Sequence, residues 1–139
     1  MMSRLAQFNL ILFSFILISC GTGAQKNADT QGEQTAEVLN LSVPQFEKMR
    51  LAGAGVVIID VRTPEEIAKG KVPNALEIDY QADDFEQKIE ALDSETTYVM
   101  YCEAGGRGSK ASKLMVQKGF KNVYNLEGGY EAWAKAVSK

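Results

Sequence analysis

Histidine is absent from the 139-residue chain. That absence excludes a Cys-His nucleophile pair, histidine metal ligands and the side chain that most often serves as a general base near neutral pH. Cysteine is scarce: Cys20 and Cys102 are the two present, too few for a four-ligand zinc site, and no metal or other cofactor is expected. Positive charge is short as well. Fifteen Lys and Arg stand against eighteen Asp and Glu, a formal net charge of −3 with no basic stripe, so nucleic acid is not an expected partner. The hydrophobic content of 45% and charged content of 24% suit one compact domain and little more.

Long apolar runs are limited to the N-terminus. Arg4 is followed by Leu10 to Ile18, then Ser19-Cys20-Gly21; the run is short for a membrane span and suits a signal-peptide core. Leu17-Ile18-Ser19-Cys20 resembles a bacterial lipobox, in which Cys20 is diacylated and becomes the first residue after cleavage. The alternatives are an ordinary signal peptide or a short anchor with an incidental cysteine. The lipobox reading divides the chain into a lipoprotein signal peptide (1–19), an acylated Cys20 with a flexible polar tether (20–37) and a folded domain (38–139). It implies an exported bacterial lipoprotein, anchored in a membrane and facing the periplasm. Cys102 would then be a lone thiol in a compartment where cysteines tend to pair.

The folded part alternates helix and strand signals. Ser42 with Gln45 is a capping-box pattern and Pro44 fits a first helical turn, which predicts a helix to about Leu51 that stops at Gly53-Ala54-Gly55. Val56 to Val61 is a mostly apolar run and reads as a strand covered on both faces. Thr63 with Glu66 predicts a second cap, on a short helix closed by Gly70. Ala75 to Ile78 suggests a brief strand, and Asp83 to Leu92 a helix with Phe85, Ile89 and Leu92 on one face. Tyr98 to Tyr101 reads as a buried strand, Ser109 to Lys118 as a helix, Asn122 to Leu126 as a strand and Gly129 to Ala136 as a last helix, with Trp133 in the core. The expected architecture is a single α/β domain, a parallel sheet of about five strands flanked by helices. Ligands of such sheets bind beyond the carboxyl ends of the strands, where Asp60 and Cys102 fall.

Cys102 itself lies in Tyr101-Cys102-Glu103-Ala104-Gly105-Gly106-Arg107-Gly108-Ser109. A thiol at a strand end, followed by glycines and a helix N-terminus, occupies a place where a thiolate is stabilised.

Three segments in register resemble the rhodanese-like, single-domain sulfurtransferase family over Val38 to Lys139. Asp60-Val61-Arg62 with Glu66 is similar to its Asp-Val-Arg-x-x-x-Glu block, Cys102 to Arg107 to its Cys-x-x-Gly-x-Arg loop, and Gly128-Gly129 with Trp133 to its Gly-Gly-x-x-x-Trp signature. Cysteine phosphatases carry arginine six positions after the cysteine; here Gly108 holds that position and Arg107 precedes it, a shorter loop that suits a terminal sulfur better than a phosphate. The resemblance implies a sulfurtransferase in which Cys102 carries sulfur as a persulfide. Amides from Glu103, Ala104, Gly105, Gly106, Arg107 and Gly108 would cradle the outer sulfur. Arg107 would either contact the substrate or hold the loop through a carboxylate. Asp60 and Arg62 would support the adjoining strand–helix turn.

The chain departs from the family pattern in two places. Between Gly70 and Glu77, where members usually carry Gly-His-Ile-x-Gly-Ala-x-Asn, it has Lys71, Asn74 and Glu77 at the histidine, second-glycine and asparagine positions. Glu103 stands beside the nucleophile where many thiosulfate-using members have a basic residue, and a carboxylate there would repel a doubly charged donor. The expected donor is therefore a small persulfide, less so thiosulfate, with a thiol or cyanide as acceptor and a protein thiol as a further partner. Two other classes stay open: a non-catalytic sulfur-binding or interaction module, and an exported thiol-redox partner forming mixed disulfides through Cys102.

Overall fold

The computed structural model describes residues 38–53 and 55–138. The segments read from the sequence as signal peptide and tether, with Cys20, lie outside them. Among the described residues no helix is long and apolar enough to cross a membrane.

Five parallel strands form one sheet in the order β1-β5-β4-β2-β3. They are β1 (Leu39–Leu41), β2 (Val56–Asp60), β3 (Leu76–Glu77), β4 (Thr97–Tyr101) and β5 (Asn122–Leu126), interleaved with helices α1 (Val43–Ala52), α2 (Pro64–Ile67), α3 (Phe85–Glu90), α4 (Gly106–Gln117) and α5 (Gly129–Val137). The sequence reading gave no signal for β1, which has three residues and pairs with the far edge of β5.

Both capping boxes form. Ser42 and Gln45 cap α1, Thr63 and Glu66 cap α2, and Pro44 and Pro64 occupy first-turn positions. Gly53 ends α1 in the left-handed conformation at φ 66°, a backbone that glycine adopts without a Cβ clash. The α2 helix ends at Ile67, before Gly70, and α3 is shorter than its apolar pattern suggested. Two of the departures from the family pattern pair with each other, since Lys71 and Glu77 form an ion pair. Asn74 takes φ 63°, where asparagine is among the few residues that replace glycine at small cost.

Alternation along the strands sorts side chains to the two faces. Ile59, Tyr98 and Met100 pack with Phe85, Ile89, Ala111 and Met115 under α3 and α4. Ile58, Val99 and Tyr101 pack with Phe46 and Trp133 under α1 and α5. Trp133 is core, as its sequence context predicts, and its indole N–H donates to Glu47 Oε1 at 2.6 Å. Asp60 and Tyr101 lie opposite each other in the β2–β4 register. The next residue, Cys102, falls with the α3 and α4 face. One strand end therefore supplies a phenol to one side and a thiol to the other.

Candidate active site

Cys102 is free, and buried to 2% exposure at the carboxyl end of β4. The Gly105 N–H donates to its Sγ at 3.1 Å. Helix α4 starts at Gly106, three residues earlier than the polar pattern from Ser109 suggested. The loop is thus Cys102 to Gly105, and Gly106, Arg107 and Gly108 form the first helical turn. Their amides have no intrahelical acceptor, and the positive end of the α4 dipole adjoins the thiol. Gly105, the cap residue, has φ 96°.

The expected amide cradle divides accordingly. Gly105 contacts the sulfur, while Ala104 and Gly106 face solvent. Gly108 does something else. A Cβ there would lie 2.5 Å from Asn125 Oδ1 and 3.3 Å from both Cys102 N and Tyr101 Cα. Its bareness lets α4 lie against the ends of β4 and β5.

Arg107 is held. Its Nη1 and Nη2 donate to the two carboxylate oxygens of Glu66 at 2.7 and 2.5 Å, and the Cys102 sulfur also acts on the guanidinium, more weakly. The Arg107 hydrogen bonds keep the Glu66 carboxyl down to about 2, against the upward push of burial. Glu66 thus closes the α2 cap through Thr63 N–H at 3.0 Å and anchors the first turn of α4 with the same carboxylate. Sequence reading assigned it only the cap; its place in the Asp-Val-Arg-x-x-x-Glu block was the available signal.

Asp60 and Arg62 are both fully buried. Arg62 Nε lies 3.0 and 3.1 Å from the two Asp60 oxygens, and Nη2 lies 2.8 Å from Oδ2. The rest of the guanidinium reaches outward. Nη2 donates to the Gly70 carbonyl at 2.7 Å, and Nη1 to Glu103 Oε2 at 2.9 Å. Its plane covers the Tyr130 ring at 4.0 Å. Burial alone would lower the Arg62 pKa, but the bonds to Asp60 and Glu103 outweigh it and the net direction is upward. Tyr101 completes the network: its hydroxyl donates to Asp60 Oδ2 and accepts from Val72 N–H at 3.2 Å. Burial first, then the bond to Asp60, raise the phenol well above its ordinary range. Arg62 therefore ties the β2 end, the turn at Gly70, α5 and the cysteine loop together.

Helix α5 meets the loop from the other side. Tyr130 N–H donates to the Cys102 carbonyl at 2.8 Å, and Glu131 N–H to the Glu103 carbonyl at 3.0 Å. With its carbonyls drawn toward α5, the loop is set to turn amides toward the sulfur. This contact requires Gly129, at φ 59°, because a Cβ there would lie 2.3 Å from the Cys102 oxygen and 2.6 Å from the Glu103 oxygen. The roles of Gly129, Tyr130 and Tyr101 were not read from the sequence, although Gly128-Gly129 marked the place.

Residues 42–136 match the model of the rhodanese-like domain. The chain belongs to the rhodanese-like family. Bacillus subtilis YtwF is 36% identical over 97 residues, covering 70% of this chain and 91% of that protein. The Stutzerimonas stutzeri protein named thiosulfate sulfurtransferase GlpE is 32% identical over 92 residues, covering 66% of this chain and 82% of its own. A solved human single-domain sulfurtransferase superposes with a TM-score of 0.57 at 29% identity, covering 69% of this chain and 95% of that one. These relatives support a sulfurtransferase role in general terms for this rhodanese-like domain, and its single α/β domain with a five-stranded parallel sheet matches the family's solved structures.

Proposed function

We propose that the domain moves a sulfane sulfur between molecules by holding it on Cys102 as a persulfide. The observation that carries this reading is the Gly105 N–H on Cys102 Sγ at 3.1 Å, in a loop clamped from three sides by Arg62, Glu66 and α5. A thiolate is the reactive form of cysteine, and the N-terminal end of α4 adjoins Sγ. No general base is required, which agrees with a chain lacking histidine.

In the first half-reaction the thiolate attacks the outer sulfur of the donor. A new S–S bond forms, the donor's own bond to that sulfur breaks, and the donor leaves with the electron pair. In the second, an acceptor thiolate or cyanide attacks the outer sulfur of the persulfide and Cys102 leaves as thiolate. The Gly105 amide, with the positive end of the α4 dipole behind it, is the donor that would stabilise the anionic sulfur in between. Arg107 acts as a positioning residue in this scheme, since both its terminal nitrogens are engaged by Glu66.

Steady-state transfer from cysteine persulfide to cyanide, read as thiocyanate, tests the reading. Turnover by the native chain and its loss in Cys102→Ser are expected; turnover that survives Cys102→Ser would overturn it. We further propose, from the lipobox-like Leu17-Ile18-Ser19-Cys20, that the protein is exported and anchored through acylated Cys20. Labelled palmitate should enter the native chain and not Cys20→Ala.

A further inference from the structure

Five ionised side chains converge on the cysteine loop: Asp60, Glu66 and Glu103 against Arg62 and Arg107. Three carboxylates face two guanidiniums, so the group carries one negative charge in excess before the sulfur ionises. The distribution matters more than the count. The Arg107 charge is matched by Glu66 at 2.7 and 2.5 Å. Arg62, fully buried, is gripped by Asp60 through Nε and Nη2 and has only Nη1 left for Glu103. The uncompensated charge therefore belongs to Glu103, whose side chain is 35% exposed while its partner is wholly covered. That carboxylate is attached to the residue directly after the nucleophile, and its backbone is pinned by the Glu131 N–H at 3.0 Å. Backbone and carboxylate of the residue next to the nucleophile are thus both held in place.

We propose that Glu103 is a specificity-determining residue that selects thiol persulfides over thiosulfate as sulfur donors; the proposal rests on the persulfide-carrier reading above. The two donor classes differ in the charge they bring. A protonated persulfide, R–S–SH, has no charge on the sulfurs. The Cys102 thiolate attacks its outer sulfur, the S–S bond to R–S breaks, and R–S⁻ leaves with the bonding pair while the proton stays on the transferred sulfur. Thiosulfate undergoes the same attack and expels sulfite, but it must first carry two negative charges past Glu103. Arg62 is fully buried, and Arg107 is already paired with Glu66 through both terminal nitrogens. Like charges at close range oppose binding and encounter, and the effect weakens as salt shortens the screening length.

The test compares kcat/KM for thiosulfate and for cysteine persulfide, with cyanide as acceptor, in the full chain and in Glu103→Gln. Glutamine keeps an oxygen for Arg62 Nη1 and removes the charge. The thiosulfate-to-persulfide ratio should rise roughly tenfold. A second measurement needs no variant: raising ionic strength from about 0.01 to about 1 M cuts the screening length from about 30 to about 3 Å, and should raise the ratio in the native protein more than in Glu103→Gln. A native protein that uses thiosulfate as well as cysteine persulfide, or a ratio unmoved by both salt and Glu103→Gln, overturns the proposal while leaving the carrier reading intact. Failure to turn over either donor overturns the carrier reading itself.

Discussion

Glu66 receives Arg107 through both carboxylate oxygens while also accepting the Thr63 N–H of its own helix cap. One carboxylate thus joins the helix after β2 to the first turn of the helix after Cys102. The pair is about a quarter exposed on each side, so its worth is about 1 kcal/mol, near the upper range for accessible ion pairs.

Its pH dependence has a definite sign. The Glu66 pKa is lowered to about 2 in the folded protein, against about 4.3 for an unperturbed glutamate. A depressed carboxyl contributes stability that is complete above the unfolded value and is lost as pH falls through the folded one. Denaturant unfolding of the native protein and Glu66→Gln should therefore differ by about 1 kcal/mol at neutral pH, and the gap should close between about 4.3 and about 2. A gap that persists at the acid end would show that Glu66 acts through something other than its charge.

Arg62 should be far less replaceable. Arg62→Met would leave Asp60 buried without its cation and strip Glu103 and the Gly70 carbonyl of a donor, a loss of about 3–5 kcal/mol. Arg62→Lys should recover little of it, because an ammonium cannot span Asp60, Gly70 and Glu103 as the planar fork does. Chemical denaturation of the two variants measures this directly.

Three glycines separate backbone strain from close approach. Gly129→Ala has both problems, a φ of 59° and a Cβ 2.3 Å from the Cys102 oxygen, whereas Gly119→Ala has only its φ of 92°, with open space around it. Gly119→Ala should cost on the order of 1 kcal/mol, and Gly129→Ala clearly more, with slower sulfur transfer as α5 is pushed off the loop. Gly106→Ala meets nothing within 4 Å and lies in the first turn of α4; it should be neutral or stabilising by up to about 1 kcal/mol. Thermal melts and transfer rates of the three order these effects.

Tyr101→Phe removes the hydroxyl between Asp60 and the Val72 N–H without altering the ring's packing under α5. A buried carboxylate oxygen loses a donor and a buried amide loses its acceptor, at about 1–3 kcal/mol. The change should appear in the denaturation midpoint with little change in the denaturant slope.

Local chemistry explains which features were legible in the sequence. The two capping boxes, the apolar runs of β2 and β4 and the Gly53 stop of α1 are each encoded within a few residues, and they form as read, whereas α2 ends three residues before Gly70. Three-residue β1 was not visible because its pairing with β5 spans most of the domain, as in Asn40 with Asn125. The start of α4 was placed late because Gly106 and Gly108 have poor helix propensity; tertiary packing against Tyr101 and Asn125 overrides that preference. Cys102 and Arg107 could be located by spacing. Whether Arg107 meets a carboxylate, and which one, depended on Glu66 at a separation of 41 residues, as the Glu103 partner depended on Arg62 at the same separation.

In the proposed cycle the transferred sulfur resides on Cys102. Intact mass spectrometry of the full chain after brief exposure to cysteine persulfide tests it most directly. A gain of one sulfur atom that disappears on adding cyanide and never forms in Cys102→Ser is expected. An unchanged mass with every donor, or a stable mixed disulfide in place of the added sulfur, would contradict it.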